Sequence, residues 1–331
     1  MRQSLTKFIC FATVIAFATH VRSAAFIAMP TIVAGDAAGS PTDSPTLRID
    51  PNTTASPFGG VGSIQISTPG GTFICTGTLI SPTHVLTAAH CLDLNNDGTI
   101  DVAAGDVTFN LNYGSNLSSQ IVASNLTIHP DFTGFNNPSI NDDIAILTLS
   151  APAPGGVPIY SLMLDPLAVG QTLTLAGYGT TGTGVTGFAA GTASFTTKRS
   201  GKNNADVFLL DDEGSGSREV FVYDFDGPSG NGVLGGSTLG NNVETMVGAG
   251  DSGGPAFVDI GGSLRVAGVN TFSLQFTGGP ASGLFGSGGG GMALGGYGNF
   301  INSVVSPVPE PSTWILMTAG FFFVARLRRK R

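Results

Sequence analysis

Gly250-Asp251-Ser252-Gly253-Gly254-Pro255 is the stretch on which the reading of this chain turns. A serine hydroxyl is too weakly acidic to act as a nucleophile at neutral pH unless a neighbouring base takes its proton. The glycines around Ser252 let the backbone turn until the amides of Gly250 and Ser252 point at one oxygen, the geometry an oxyanion needs. Two further segments supply the missing groups: Leu86-Thr87-Ala88-Ala89-His90-Cys91 offers an imidazole, and Asn141-Asp142-Asp143-Ile144-Ala145-Ile146-Leu147 offers carboxylates before an apolar run. His90 is then cast as general base and later general acid, and one of Asp142 and Asp143 as the buried carboxylate that orients the imidazole and stabilises the imidazolium.

The rest of the body is consistent with a β-rich host. Short β-forming runs alternate with turn clusters at Ser63–Ile66, Phe73–Ile80, Val107–Leu111, Ile121–Ile128, Ile144–Leu149, Thr172–Ala176, Val207–Leu210, Val220–Tyr223, Ala256–Val258 and Leu264–Asn270. That spacing predicts a sandwich or a pair of barrels. The glycine-rich stretches Gly179–Gly191, Gly227–Gly240 and Gly278–Gly298 are expected to be loops. With 331 residues, 41% hydrophobic and 11% charged, the chain can bury a core, which excludes wholesale disorder. Between Ile49 and Val305 nineteen acidic residues face five basic ones, a balance that repels phosphates and excludes a nucleic-acid partner.

The order His90, Asp143, Ser252 and the three segments around them resemble the trypsin/chymotrypsin family of serine endopeptidases. Phe73-Ile74-Cys75-Thr76-Gly77-Thr78-Leu79-Ile80, Ala176-Gly177-Tyr178-Gly179 and Val266-Ala267-Gly268-Val269-Asn270-Thr271-Phe272 extend the likeness over most of residues 58 to 302, with Tyr297 to Ile301 at the start of a closing helix. The resemblance implies an all-β fold of two packed antiparallel six-stranded β-barrels with a short C-terminal helix and the three groups in the cleft between the barrels. It also favours Asp143 over Asp142, and it implies protein or peptide substrates and no cofactor for catalysis. A catalytically inactive binding protein on the same fold is the competing reading, and an esterase of small acyl esters a third.

In that family the carboxylate before the serine, here Asp251, pairs with an amine freed by proteolytic activation. Cleavage after Arg48 frees Ile49, 26 positions before Cys75, the favoured spacing; Ile32-Val33-Ala34-Gly35 resembles the mature start but lies 43 positions before Cys75, and no activating cut is the third possibility. Counting back from Ser252 puts Met246 and Val247 at the base of a primary pocket, with Thr271, Phe272 and Gly289 on its walls. Without an acid at that base, an apolar or small side chain is expected before the scissile bond.

Cys75 and Cys91 are an even pair once Cys10 leaves with a signal segment, and a bridge is expected. It would close a loop of about 15 residues, worth on the order of 3 kcal/mol. Asp93-Leu94-Asn95-Asn96-Asp97-Gly98-Thr99-Ile100-Asp101 resembles an EF-hand or dockerin loop, with ligands Asp93, Asn95, Asp97, Thr99 and Asp101 for a structural calcium. Ala104 stands where the closing acid belongs, so a plain polar insertion fits equally. His84 and His129 are expected at the surface or at strand edges.

Both ends read as addresses. Residues 1 to 25 carry a basic start, an apolar run and a small-residue exit, as secretory signals do; residues 26 to 48 read as a pro-region or arm, and 49 to 305 as the protease domain. Residues 306 to 331 hold Pro309-Glu310-Pro311, an apolar run from Trp314 to Ala325 and Arg326-Leu327-Arg328-Arg329-Lys330-Arg331. This tail resembles the PEP-CTERM sorting signal of bacteria. The resemblance implies export across the inner membrane, a membrane-bound processing enzyme as partner, transient retention, and then the cell envelope or extracellular matrix. That run, about 12 to 14 residues, falls short of the roughly 17 to 25 that cross a bilayer upright.

Overall fold

The computed structural model describes residues 25–27, 32–230 and 232–306. The signal residues before Ala25 and the sorting tail from Pro307 lie outside the described residues. Six strands form a closed antiparallel barrel: β1 (Val61–Thr68), β2 (Gly71–Ser81), β3 (His84–Thr87), β4 (Val107–Leu111), β5 (Ser119–Ile128) and β6 (Ala145–Leu149), in the order β1-β2-β3-β6-β5-β4 and back to β1. Alternation decides which side chains fill it. Val107, Phe109 and Leu111 turn inward from β4, and Ile121 and Ala123 from β5, while Gln120 and Val122 face water. Ile64, Ile66, Leu79, Val85 and Ile146 complete the filling without exposure, each burial contributing about 1.5–3 kcal/mol.

The second half is an antiparallel sheet of β7 (Gln171–Gly177), β8 (Arg199–Ala205), β9 (Val207–Leu210), β10 (Arg218–Asp224), β11 (Pro255–Ile260), β12 (Ser263–Gln275) and β13 (Gly288–Ala293), ordered β8-β7-β11-β12-β13-β10-β9. Its two outer strands, β8 and β9, are consecutive in the chain and joined at Asp206, whose amide donates to the Val222 carbonyl at 2.9 Å. Asn203 Nδ2 also donates to the Asp224 carbonyl at 2.7 Å. The sheet therefore rolls back on itself, although its hydrogen-bonded path does not close as the barrel's does. The short run Ala25–Ile27 lies antiparallel to Ser273–Gln275 of β12. Helix α1 (Gly298–Val305) ends the described chain and buries Phe300 and Ile301.

The expected strands are present with their ends moved by a few residues, and others that composition concealed join them: β3, β8, β13 and a two-stranded hairpin of Thr181–Thr183 and Gly187–Ala189, inside the stretch Gly179–Gly191 expected to be a loop. β13 lies inside a stretch expected to be a loop. Its run of glycines lets bulky neighbours close over the backbone: a Cβ at Gly290 would press into the Phe272 ring and the Phe221 carbonyl. The two halves share one apolar cluster, and Tyr178 from the second reaches across to donate its hydroxyl to the Val61 carbonyl of β1 at 3.0 Å.

Candidate active site

Each of the three candidate groups stands where a strand begins or ends. β3 runs into a single 3-10 turn, Ala89–Cys91, that carries His90; Asp143 precedes β6; Ser252 precedes β11. The His90 amide donates to Asp143 Oδ1 at 2.8 Å and its Nδ1 to Oδ2 at 2.6 Å, so one carboxylate fixes both the backbone and the ring of the histidine. With the Nδ1 proton so engaged, Nε2 is left as the acceptor, 2.8 Å from Ser252 Oγ. Asp143 is fully buried, and the His90 side chain is 12% exposed with the Phe135 ring edge-on at 5.3 Å. Phe135, on the long loop before Asp143, is a neighbour that no motif announced.

The loop around Ser252 leaves two donors over. The amides of Asp251, Gly253 and Gly254 donate to the carbonyls of Gly248, Asn270 and Asp251, while those of Gly250 and Ser252 have no acceptor among the described residues. Gly250 holds φ at +99°, a region that side chains rarely enter. The Ser252 carbonyl accepts the Thr76 amide at 2.8 Å, tying the loop to β2, and the Cys75–Cys91 disulfide closes the same corner. This arrangement can take a proton from a hydroxyl and offer two amides to a charge developing on the attacked carbonyl.

Asp251 is fully buried, and burial pushes its carboxyl up to about 7. It accepts the Gly179 amide at 2.8 Å and more distantly the Gly248 amide, and the Ile32 amide and the Arg199 charge also favour its ionised form. The structure does not bring Ile49 to this carboxylate. Ile49 is 41% exposed and bridges to Arg199, and the preceding Arg48 is locked by Asp43 at 2.6 Å and by the carbonyls of Asn241, Val243 and Glu244. Ile32 is the residue at the pocket instead. Val33 donates to the Met246 carbonyl at 2.9 Å, Ala34 to Gly182 at 3.0 Å, and Thr181 Oγ1 donates to the Ile32 carbonyl at 2.9 Å. Position along the chain misled because the arm from Gly35 to Arg48 folds as a detour over the surface of the second half.

Met246, Val247, Thr271, Phe272 and Gly289 are brought together but are buried, not open. Tyr223 fills the space they would line, its hydroxyl accepting the Val247 amide at 3.3 Å and standing 2.7 Å from where a Cβ on Gly289 would sit. The cavity beside Ser252, about 210 Å³, lies on the other side, against Phe73, Ile74, Leu94 and the disulfide. In the loop after His90, Asp93 accepts the amides of Asn96, Asp97 and Gly98, and Asp101 those of Leu94 and Asn95. Thr99 donates its amide and hydroxyl to Asp97. The carboxylates of Asp93, Asp97 and Asp101 do not converge; the group that does, among the described residues, is Asp142, Asp212, Glu213 and Glu219, with one oxygen of each within 4.8 Å of the rest. His84 is a strand-edge residue, but His129 is tucked against α1, where neither its isolation nor its flanking residues gave a signal.

The Trypsin family model matches residues 51–207 and the PEP-CTERM protein-sorting motif matches 307–330. The first match takes in His90 and Asp143 and stops short of Ser252. A trypsin of Saccharopolyspora erythraea is 30% identical over 41% of this chain and 55% of its own length. Brachyurin of Leptuca pugilator is 31% identical over 32% of this chain and 45% of its own. The chain thus spans about half the length of these curated relatives. A solved thermostable serine protease, AL20, from an extremophilic microorganism aligns with 75% of this chain and 98% of its own at 18% identity and a TM-score of 0.48.

Proposed function

The chain carries a trypsin-family serine protease domain followed by a PEP-CTERM sorting motif, and from that premise we propose that it is an exported endopeptidase acting through Ser252, His90 and Asp143. The PEP-CTERM motif implies export and C-terminal sorting by an exosortase, and a domain of this family needs no cofactor. The observation that carries the reading is the unbroken line of contacts from Ser252 Oγ through His90 to Asp143 beside two unengaged amides. In the proposed reaction Ser252 Oγ attacks the peptide carbonyl as His90 Nε2 takes its proton. The carbonyl oxygen becomes an oxyanion held by the Gly250 and Ser252 amides, His90 returns the proton to the leaving amine, and water activated by His90 releases the acyl group. Asp143 keeps the Nδ1 proton in place throughout.

The buried primary pocket and the amide of Ile32 beside Asp251 favour a chain awaiting activation. Cleavage between Thr31 and Ile32 would place an ammonium beside a carboxylate that now lacks a close cationic partner. Substrates would then present an apolar or small residue before the scissile bond. After sorting, the enzyme would work in the cell envelope or matrix. The experiment is intact mass spectrometry before and after a fluorophosphonate probe, on the exported protein and on a form beginning at Ile32, with Ser252→Ala as control. A single adduct absent from the control is expected. A form beginning at Ile32 that takes no probe would sink the reading in favour of a non-catalytic binding protein.

A further inference from the structure

Both oxygens of Asp143 are engaged by His90, so the aim of that carboxylate is set by the backbone behind it. That backbone is strained. Asp142 has a φ of +61°, and its carbonyl accepts the Ile144 amide two residues on at 2.6 Å. A non-glycine residue held there costs on the order of 1–3 kcal/mol and persists only where its surroundings enforce it.

His129 does much of the enforcing. Its amide donates to the Ile144 carbonyl at 3.0 Å and its Nδ1 lies 3.1 Å from Asp142 Oδ1, so one residue frames the turn from both ends. The Asp131 amide donates to the same nitrogen at 3.4 Å; with a proton on Nδ1 instead, the 3.1 Å approach to Asp142 is an ion-pair contact. Helix α1 and the residue before it hold the ring, with Tyr297 edge-on at 5.2 Å and Phe300 at 5.0 Å. The Tyr297 hydroxyl accepts the Asp142 amide at 3.0 Å and stands 3.4 Å from Glu219, which also accepts Asn141 Nδ2 at 3.2 Å.

The turn also sits among like charges. Asp212, Glu213 and Glu219 crowd the Asp142 carboxylate, and Asp131 lies 3.9 Å from the imidazole. Among the described residues His129 is the only basic side chain within ion-pair distance of any of the four clustered acids. Without it Asp142 would face those carboxylates unopposed, and the turn could relax away from them.

We propose that His129 is a positioning residue for Asp143: by anchoring Asp142 against helix α1 it holds the strained turn that aims Asp143 at His90. The proposal rests on His90, Asp143 and Ser252 being the reacting groups. Its test compares wild type, His129→Ala, His129→Asn and Asp142→Gly, each beginning at Ile32. The readouts are fluorophosphonate labelling rate, kcat and KM on a small ester, and the low-field proton resonance of the His90–Asp143 hydrogen bond. His129→Ala should lose about tenfold in kcat and labelling rate, the worth of one short polar contact, with KM unchanged. Its low-field resonance should shift. His129→Asn, whose amide can still donate to Asp142, should recover most of the loss, and Asp142→Gly, which adopts the same φ but has no carboxylate for His129 to hold, should show the loss even if His129→Ala does not fold. Labelling and resonance at wild-type values in Asp142→Gly, or equal losses in His129→Ala and His129→Asn, would overturn the role of His129. A wild type that takes no probe would instead overturn the underlying reading, and this one with it.

Discussion

Thr76 donates its hydroxyl to the carbonyl of Gly250 at 2.7 Å, and Thr76 Oγ1 in turn accepts the Tyr178 amide at 3.1 Å. A side chain of the barrel thereby sets the orientation of a peptide in the loop of the other half. The two candidate oxyanion donors inherit their geometry from both halves at once.

Gly250→Ala tests that geometry. The added Cβ would lie 2.9 Å from Gly179 Cα and 3.1 Å from Ile74 Cγ2, on a backbone at φ +99°. Loss of one donor should lower kcat by about 10²–10³ while KM and the folded spectrum stay close to wild type. Steady-state kinetics on an ester substrate measure this, and a variant with unchanged kcat would remove Gly250 from the oxyanion site.

Asp251 predicts a pH dependence that processing should abolish. Burial raises its folded pKa to about 7, above its unfolded value, so its contribution to stability is full below the unfolded pKa and declines as pH rises toward 7. The melting temperature of the unprocessed chain relative to its Asp251→Asn variant should therefore fall between pH 4 and pH 8. In a chain beginning at Ile32 the new ammonium should flatten that slope. Calorimetry across the range decides, and parallel slopes in the two forms would separate Asp251 from the new terminus.

The Cys75–Cys91 bridge joins β2 to the turn that carries His90. Replacing both cysteines by alanine should lower unfolding free energy by about 3 kcal/mol, the chain-entropy value for a loop of this length. A urea midpoint that does not move would show the reduced chain to be equally constrained by the barrel.

Asp93 is 5% exposed and accepts three loop amides. Asp93→Ala should therefore cost about 1–3 kcal/mol in chelator-treated protein, where no ion can account for the loss. If the variant differs from wild type only when calcium is added, the loop is an ion site and its internal hydrogen bonds are secondary.

The strands with alternating side chains were legible because burial on one face imposes a period, as Val107, Phe109 and Leu111 show. β13 was not, since glycines carry no pattern and their reason lies in Phe221, Phe272 and Tyr223 on other strands. At the candidate site, the three groups His90, Asp143 and Ser252, which the structure brings together, each stood out in the sequence through a local motif. The place of Ile32, the filling of the space before Met246 by Tyr223, and the setting of His129 depend on contacts between residues more than a hundred positions apart, or on which side chain fills a space, and no local pattern encodes them.

Arg48, held by Asp43, has a consequence for how the folded chain meets other enzymes. Lys198 and Arg199 are buried as it is, and Lys202, Arg218 and Arg265 are fixed in strands, so no basic residue from Arg48 to Val305 sits in a pliable exposed segment. An enzyme that cuts after lysine or arginine would find nothing to nick between those points in the folded protein. The segment between those points would persist as a resistant fragment, and scarcity of positive charge would serve as armour.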